Sequence, residues 1–195
     1  AAMLYSKQAF TNGYFETRFI SEPGKGLFNS FWLYGDNASE IDIFELRGST
    51  PSDAQMTLHW KEKDPLTGSS QSISHLQANP IFGDTSHVFG VLWSPDEVSL
   101  YFNDNKVQEN AWTRFIRSRH IPTVPLNIIV NTSIACLNEE PDSTTKFPGH
   151  IWFDYVRVYQ NNQTVRAPII TDAQTLVYSD YEPQGFDMTT LTIND

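Results

Sequence analysis

Apolar and polar residues alternate along this chain in short runs rich in Val, Ile, Phe, Tyr and Trp, and clusters of Gly, Pro, Asn and Asp separate the runs. A period of two with β-branched and aromatic residues predicts strands, because successive strand side chains point to opposite faces. The runs fall at residues 3–10, 13–20, 27–34, 40–45, 56–61, 70–76, 87–93, 98–102, 106–108, 126–133 and 150–159. Glu22-Pro23-Gly24-Lys25-Gly26 is a turn, and Asn103-Asp104-Asn105 joins two runs with residues that tolerate positive φ, a hairpin signal. Residues 111–118 are the one stretch that reads as a short helix. Many short strands with frequent turns predict an all-β chain folded as a sandwich of two antiparallel sheets.

One strand carries unusual chemistry. Residues 40–45 read Glu40-Ile41-Asp42-Ile43-Phe44-Glu45. In a regular strand Glu40 and Asp42 share a face and Glu45 lies on the other. A β-bulge that absorbs Ile43 or Phe44 turns Glu45 onto the face of the other two acids. Four effective steps then separate the α-carbons of Glu40 and Glu45 by about 13 Å, and two extended side chains leave about 5 Å between carboxyls. Carboxyls about 5–5.5 Å apart belong to retaining glycoside hydrolysis, in which one attacks the anomeric carbon and the other protonates the leaving oxygen. Three like charges at short range also push their pKa values apart. Spacing alone fits a solvated acidic face equally well; the apolar alternate face and the surrounding residues favour a site.

Composition narrows the setting. A chain of 195 residues is one domain's worth, and thirteen Phe, eight Tyr and five Trp supply a large core. Its apolar runs fall short of the roughly 18 residues that span a membrane, so a soluble chain without membrane insertion is expected. A net charge of −10 argues against nucleic acid and anionic membranes as partners. The single cysteine, Cys136, excludes an intramolecular disulfide and reads as a small buried residue. No signal peptide stands at Ala1, so a mature or trimmed form of a secreted, extracellular or periplasmic protein is expected, as a monomer.

The acidic strand resembles the Glu-x-Asp-x-x-Glu signature of glycoside hydrolase family 16, in the bulged form typical of laminarinases, agarases, porphyranases and carrageenases. Lichenases and xyloglucan transglycosylases use an unbulged Glu-x-Asp-x-Glu, which this chain lacks. Residues 14–18, 27–33, 57–60, 87–96 and 153–159 also resemble family segments, in the family's order. The likeness covers residues 3–160 and implies a concanavalin-like jelly roll, residues 1–160, with an open concave cleft for a polysaccharide. It implies that Glu40 is the nucleophile, Asp42 its helper and Glu45 the general acid/base, with no cofactor for catalysis. It places Trp32 beside the sugar that is attacked and His59 near the acid/base, and it points to a structural calcium held partly by Asp154.

Other residues are weighed on their own chemistry. Sugar rings pack apolar C–H faces on aromatic rings, so a polysaccharide cleft is lined by Trp and Tyr with polar groups between them. Trp32 shares a face with Ser30 and is assigned to the cleft; Trp112, in a polar stretch, is a subsite candidate. His59 and Trp60 cannot both face a cleft, and His59 is preferred. Trp93 and Trp152 read as core. Asn131 is a candidate to hydrogen-bond sugar, and Asn29, where relatives carry the Pro of a Trp-Pro pair, is counted with the substrate-binding residues. Arg114, Arg117, Arg119 and His120 form a basic cluster that reads either as a solvated face or, with Arg47, as a rim for sulfate or uronate groups. That cluster, with the short connection from Trp32 to Glu40, is the hint for a charged galactan over a neutral glucan.

The expected function is retaining endo-hydrolysis of a β-linked polysaccharide, either β-1,3-glucan or a galactan of the agar, porphyran or carrageenan type. A transglycosylase and a non-catalytic glycan-binding protein of the same fold are the alternatives. Residues 161–195 lie beyond the usual last strand. Residues 176–182 and 186–188 resemble the family's opening strands, which are absent ahead of Met3. Two readings follow: a circular permutation with a linker at Ala167-Pro168, or a C-terminal extension that could begin a second repeat. Under the permutation, deleting residues 170–195 lowers the thermal midpoint, and an unchanged midpoint refutes it.

Overall fold

The computed structural model describes residues 1–66, 68–77, 82–160 and 189–193. Their strands form two six-stranded antiparallel sheets packed face to face. The first runs β1 (Ala2–Phe10), β10 (Leu126–Ile134), β3 (Leu27–Tyr34), β4 (Glu40–Arg47), β5 (Asp53–Asp64), β6 (Gly68–Gln77) in spatial order. The second runs β12 (Thr189–Ile193), β11 (Gly149–Tyr159), β2 (Gly13–Ser21), β7 (His87–Trp93), β8 (Val98–Phe102), β9 (Asn105–Lys106). The alternation that predicts strands is realised as alternating burial, and the acidic strand becomes β4, fourth in the first sheet.

The core lies between the sheets and is rich in phenylalanine. Phe19 of β2 and Phe44 of β4, at most 1% exposed, stack with ring centroids 4.2 Å apart across the sandwich. Phe89 of β7 closes on Phe44 at 5.2 Å. These rings clamp the acidic strand to the second sheet. Trp93 is fully buried and its indole N–H donates to the Pro122 carbonyl at 3.0 Å. Trp152 departs from the sequence reading: it lies half-buried on the outer face of β11, stacked on His150 at 5.2 Å. Its neighbours Ile151 and Phe153 take the core positions, because strand alternation allows only one of the two parities inside.

Local chemistry sets the ends of the elements. The hairpin between β8 and β9 turns through Asn103 and Asp104 at φ 46° and 65°, values those residues tolerate. After β4 the chain must pass close to the turn before β3. The Gly24 N–H donates to the Gly48 carbonyl at 3.0 Å, and a Cβ on Gly48 would meet the Gly24 carbonyl oxygen at 1.9 Å. Only glycine allows that approach.

The predicted helix is α1 (Ala111–Ser118), capped by Asn110, whose side-chain oxygen accepts the Thr113 N–H at 2.8 Å. Ile116 anchors it in the core. Beyond β11, strand β12 pairs antiparallel along residues 149–153. The linker at Ala167-Pro168 and the stretches 176–182 and 186–188 lie outside the described residues.

Truncating Phe19 to Ala removes the ring that braces β4 from the opposite sheet and is expected to cost about 3–5 kcal/mol. The shift in urea midpoint at unchanged slope measures it; a loss under about 1 kcal/mol would show that the stack does not hold the sheets together.

Candidate active site

Strand register decides where the three acids point. From β3, Phe31 pairs with Phe44 but the next residue, Trp32, pairs with Asp42, so Ile43 is the extra residue of a bulge. On the other side Asp42 pairs with Thr57 and Glu45 with Gln55, three steps on β4 against two on β5. Ile43 and Phe44 consequently both enter the core, and Glu40, Asp42 and Glu45 all reach one cavity of about 350 Å³ on the concave face of the first sheet.

The register also lays the cleft out in rows that cross the strands. One row holds Tyr34, Glu40 and His59; the next holds Trp32, Asp42 and Thr57; the third holds Ser30, Glu45 and Gln55. Cross-strand neighbours on one face stand about 4.5–5.5 Å apart at Cβ, so each acid is flanked by a side chain from either strand. His59 Nε2 lies 3.0 Å from Asp42 Oδ2. Trp60 turns the other way, is 6% exposed, and donates its indole N–H to the Gly68 carbonyl at 3.0 Å.

Asn131 organises the wall. Its Oδ1 accepts both the Ser30 hydroxyl at 2.6 Å and the Trp32 indole N–H at 2.7 Å. An indole nitrogen only donates, so the amide orientation is fixed with its oxygen toward Trp32. Trp32 is thereby held at the cavity, with Tyr34 edge-on at 5.6 Å.

Burial sets the electrostatics. Asp42 is 3% exposed, and desolvation drives its pKa well above the ordinary carboxylate value, with the charge of Glu45 adding to the effect. Glu40 rises to about 7 through burial, the charge of Asp42 and a hydrogen bond with Asp42, against which His59 pulls down. Glu45 is raised by burial and by Glu40, while His59 and Arg47 oppose the shift. Glu40 and Asp42 therefore share a proton near neutrality, and Glu45 keeps one to higher pH than a free glutamate.

Several sequence-predicted residues stand elsewhere. Asn29 is 1% exposed and faces between the sheets, where its amide donates to the Ser21 hydroxyl at 2.8 Å; alternation puts it opposite Ser30. Arg47 Nη1 lies 3.5 Å from Glu139 Oε1, beside the cavity lining. Trp112 falls in the first turn of α1. The basic cluster is not a cleft rim. Arg117 is buried in an ion pair with Glu109, and Arg119 and His120 reach Asp64 at 3.4 and 2.9 Å, with His120 stacked on Trp60 at 3.9 Å. Arg114 is exposed, and none of the four lines the cavity. Cys136 is half-buried in the cavity wall rather than packed inside, following Ala135 in the left-handed region at φ 55°.

Asp154 Oδ2 is 3.2 Å from the Arg18 guanidinium, whereas a calcium ion takes about six to eight oxygens. Among the described residues, the grouping close enough to hold a metal is Glu40, Asp42 and His59, whose ligand atoms lie within 4.8 Å of one another. Sequence reasoning missed Met3, Phe28 and Cys136 in the lining. The strand parity of Met3 was available as a signal, but the fold-back after β10 that brings Cys136 round carries no glycine to mark it.

An endo-1,3-1,4-beta-glycanase of Rhizobium meliloti is 31% identical over 160 residues, 80% of this chain and 32% of its own length. The chain thus spans about a third of the length of the Rhizobium meliloti glycanases it matches, 32% of each. The laminarinase catalytic domain of Thermotoga maritima superposes with a TM-score of 0.67 at 25% identity, covering 80% of this chain and 67% of that one. The endo-beta-1,3-glucanase of Pyrococcus furiosus does so with a TM-score of 0.66 at 30% identity, covering 78% and 63%. The sequence model of the glycosyl hydrolases family 16 matches residues 1–156, and the chain belongs to that family.

Proposed function

We propose that the chain is a retaining endo-β-glucanase that cleaves β-1,3-linked or mixed β-1,3/1,4-linked glucan through a covalent glycosyl-enzyme. The observation that carries this reading is the one-residue offset at Ile43, which gathers Glu40, Asp42 and Glu45 on the concave face in a single cavity.

Glu45, whose pKa burial raises, gives its proton to the glycosidic oxygen as the C–O bond breaks. Glu40 attacks the anomeric carbon from the opposite side and forms the glycosyl ester. Its negative charge is consumed in that bond, and the proton shared with Asp42 passes to Asp42, whose burial favours the neutral form. In the second half, Glu45 takes a proton from water, the resulting nucleophile attacks the same carbon, and Glu40 leaves as a carboxylate. Trp32, fixed by Asn131, packs against the sugar under attack. His59 orients Asp42, and no step is routed through a metal.

Two features support a neutral glucan over a charged galactan. The arginines and histidine at 117–120 are committed to Glu109 and Asp64 instead of offering forks to sulfate. The relatives reported above are named an endo-1,3-1,4-beta-glycanase, a laminarinase and an endo-beta-1,3-glucanase. A polymer-degrading role also fits a secreted or periplasmic location.

Incubation with laminarin and mixed-linkage glucan, followed by chromatography and proton NMR of the first products, tests the reading. Oligosaccharides that appear first as the β-anomer are expected; first appearance of the α-anomer, or no cleavage, overturns it. Glu40→Gln and Glu45→Gln are each expected to lower kcat by about three orders of magnitude with the circular dichroism unchanged. A variant that keeps most of its activity would remove that residue from its role.

The raised pKa of Glu40 also has a stability consequence. The folded state holds its proton up to about 7 whereas the unfolded state releases it near 4.5, so native protein binds more protons between these values and stability falls as pH rises through them. Glu40→Gln removes that loss. Its thermal midpoint should match wild type near pH 4 and exceed it at pH 8; a gap that stays constant with pH would contradict the shift.

A further inference from the structure

Arg47 is the cation built into the acidic strand. Past the bulge, Glu45 and Arg47 share the concave face with Leu46 in the core between them, about 7 Å apart at Cα. An arginine of roughly 6 Å reach covers that distance, so its guanidinium has two places to go, back over Glu45 or outward. The structure takes the second: Nη1 lies 3.5 Å from Glu139 Oε1, with the arginine side chain 39% and the glutamate side chain 23% exposed.

Glu139 is held in its turn. The Thr50 N–H donates to the Arg47 carbonyl at 3.0 Å, a tight turn that brings Ser49 alongside, and the Ser49 hydroxyl donates to the Glu139 carboxylate, 2.8 and 2.7 Å from its two oxygens. Glu139 arrives on the fold-back after β10, 90 residues beyond Ser49. In that fold-back Ala135, Leu137 and Asn138 stand in the left-handed region at φ 55°, 54° and 62°, a conformation L-residues adopt at a cost. The Glu139 N–H closes it on the Cys136 carbonyl at 3.1 Å.

The other charges around Glu45 do not duplicate this contact. Its own strand adds Glu40 and Asp42; β5 adds His59 and Asp53, which share the parity of Gln55, and β6 sets His75 opposite Gln55. Opposite Glu45, β3 and β10 bring the uncharged Ser30 and Asn131, and Cys136 and Ala1 line the same cavity. Of these groups Arg47 alone is a cation at every working pH.

We propose that Glu139 is a positioning residue for the acid/base: anchored by Ser49, it engages Arg47 and holds the guanidinium off Glu45. The proposal rests on the glucanase reading, in which Glu45 donates the proton, and deepens it, because the alkaline limit of activity is then set by a residue that acts only through Arg47. Burial raises the pKa of Glu45, and His59 and Arg47 draw it down; an Arg47 released from Glu139 draws it down further.

The test is the pH profile of kcat/KM, on whichever of laminarin and mixed-linkage glucan is cleaved, for wild type, Glu139→Gln, Arg47→Gln and the double variant, with thermal midpoints recorded. Loss of the Glu45 proton ends activity on the alkaline side, so Glu139→Gln is expected to move that limb down by about 0.5 pH and Arg47→Gln to move it up by a similar amount. In the Arg47→Gln background the Glu139 substitution is expected to leave the limb where it is, since its effect runs through the arginine. An unmoved limb in Glu139→Gln, whatever its thermal midpoint, or an equal displacement with and without Arg47, overturns the proposal and leaves the glucanase reading intact. Failure of wild type to cleave either polymer overturns that reading and this proposal with it.

Discussion

The structure depends on a single extra residue in β4. Without Ile43 as a bulge, alternation from Glu40 and Asp42 would put Phe44 into the cleft and Glu45 into the core. The bulge is stable because both residues at the offset are large and apolar, and both are fully buried. A polar residue at either position would place an unmatched group between the sheets, at a cost of about 1–3 kcal/mol. Catalytic geometry and core packing are thus solved by one backbone irregularity, and the Phe19 and Phe89 rings that press on Phe44 fix the acids from behind.

That placement has an electrostatic consequence. Three carboxyls in one cavity, one of them almost fully buried, resist full ionisation. Cations stronger than His59 would remove the resistance and with it the raised pKa of Glu45. Most of the nearby arginines are committed elsewhere: Arg117 and Arg119 serve Glu109 and Asp64, and Arg47, which pulls weakly on Glu45, is itself paired with Glu139. Two hydrogen bonds, from the Leu66 N–H and from His120, hold Asp64 below the usual carboxylate range, so that end of the sheet carries an anion matched by its own cations. The opposite pKa directions on the adjacent strands β4 and β5 follow from which effect outweighs the other, desolvation at the three acids or hydrogen bonds at Asp64.

The fold was largely legible in the sequence, because a period of two with turn residues between runs is a strong signal, and the hairpin at Asn103 and Asp104 has the chemistry its φ values need. The acids were legible as well, since Glu at a spacing of five with apolar residues between is explained by a bulge. Residues whose role depends on register between distant strands were not. Asn131 lies 99 residues from the Trp32 it holds. The arginine cluster misled for the opposite reason: clustering in sequence says nothing about the partners Glu109 and Asp64, which the fold brings to it. Trp152 and Asn29 failed on parity, where one residue changes the face.

A cleft laid across strands differs in kind from one built of loops. Strand spacing sets the step along each row at about 4.8 Å, and the pleat fixes which residues face inward, so side-chain positions in the cleft are quantised by the backbone. Moving a contact requires a change of residue at a row position, whereas a loop can drift. Row positions on β3 and β4 are constrained by the acids and by Trp32, whereas Met3 and Tyr5 on β1 are 49% and 54% exposed. Substitutions at such edge-strand positions therefore disturb the acids least, and residues such as Met3 and Tyr5 are where a sandwich of this kind has freedom to vary.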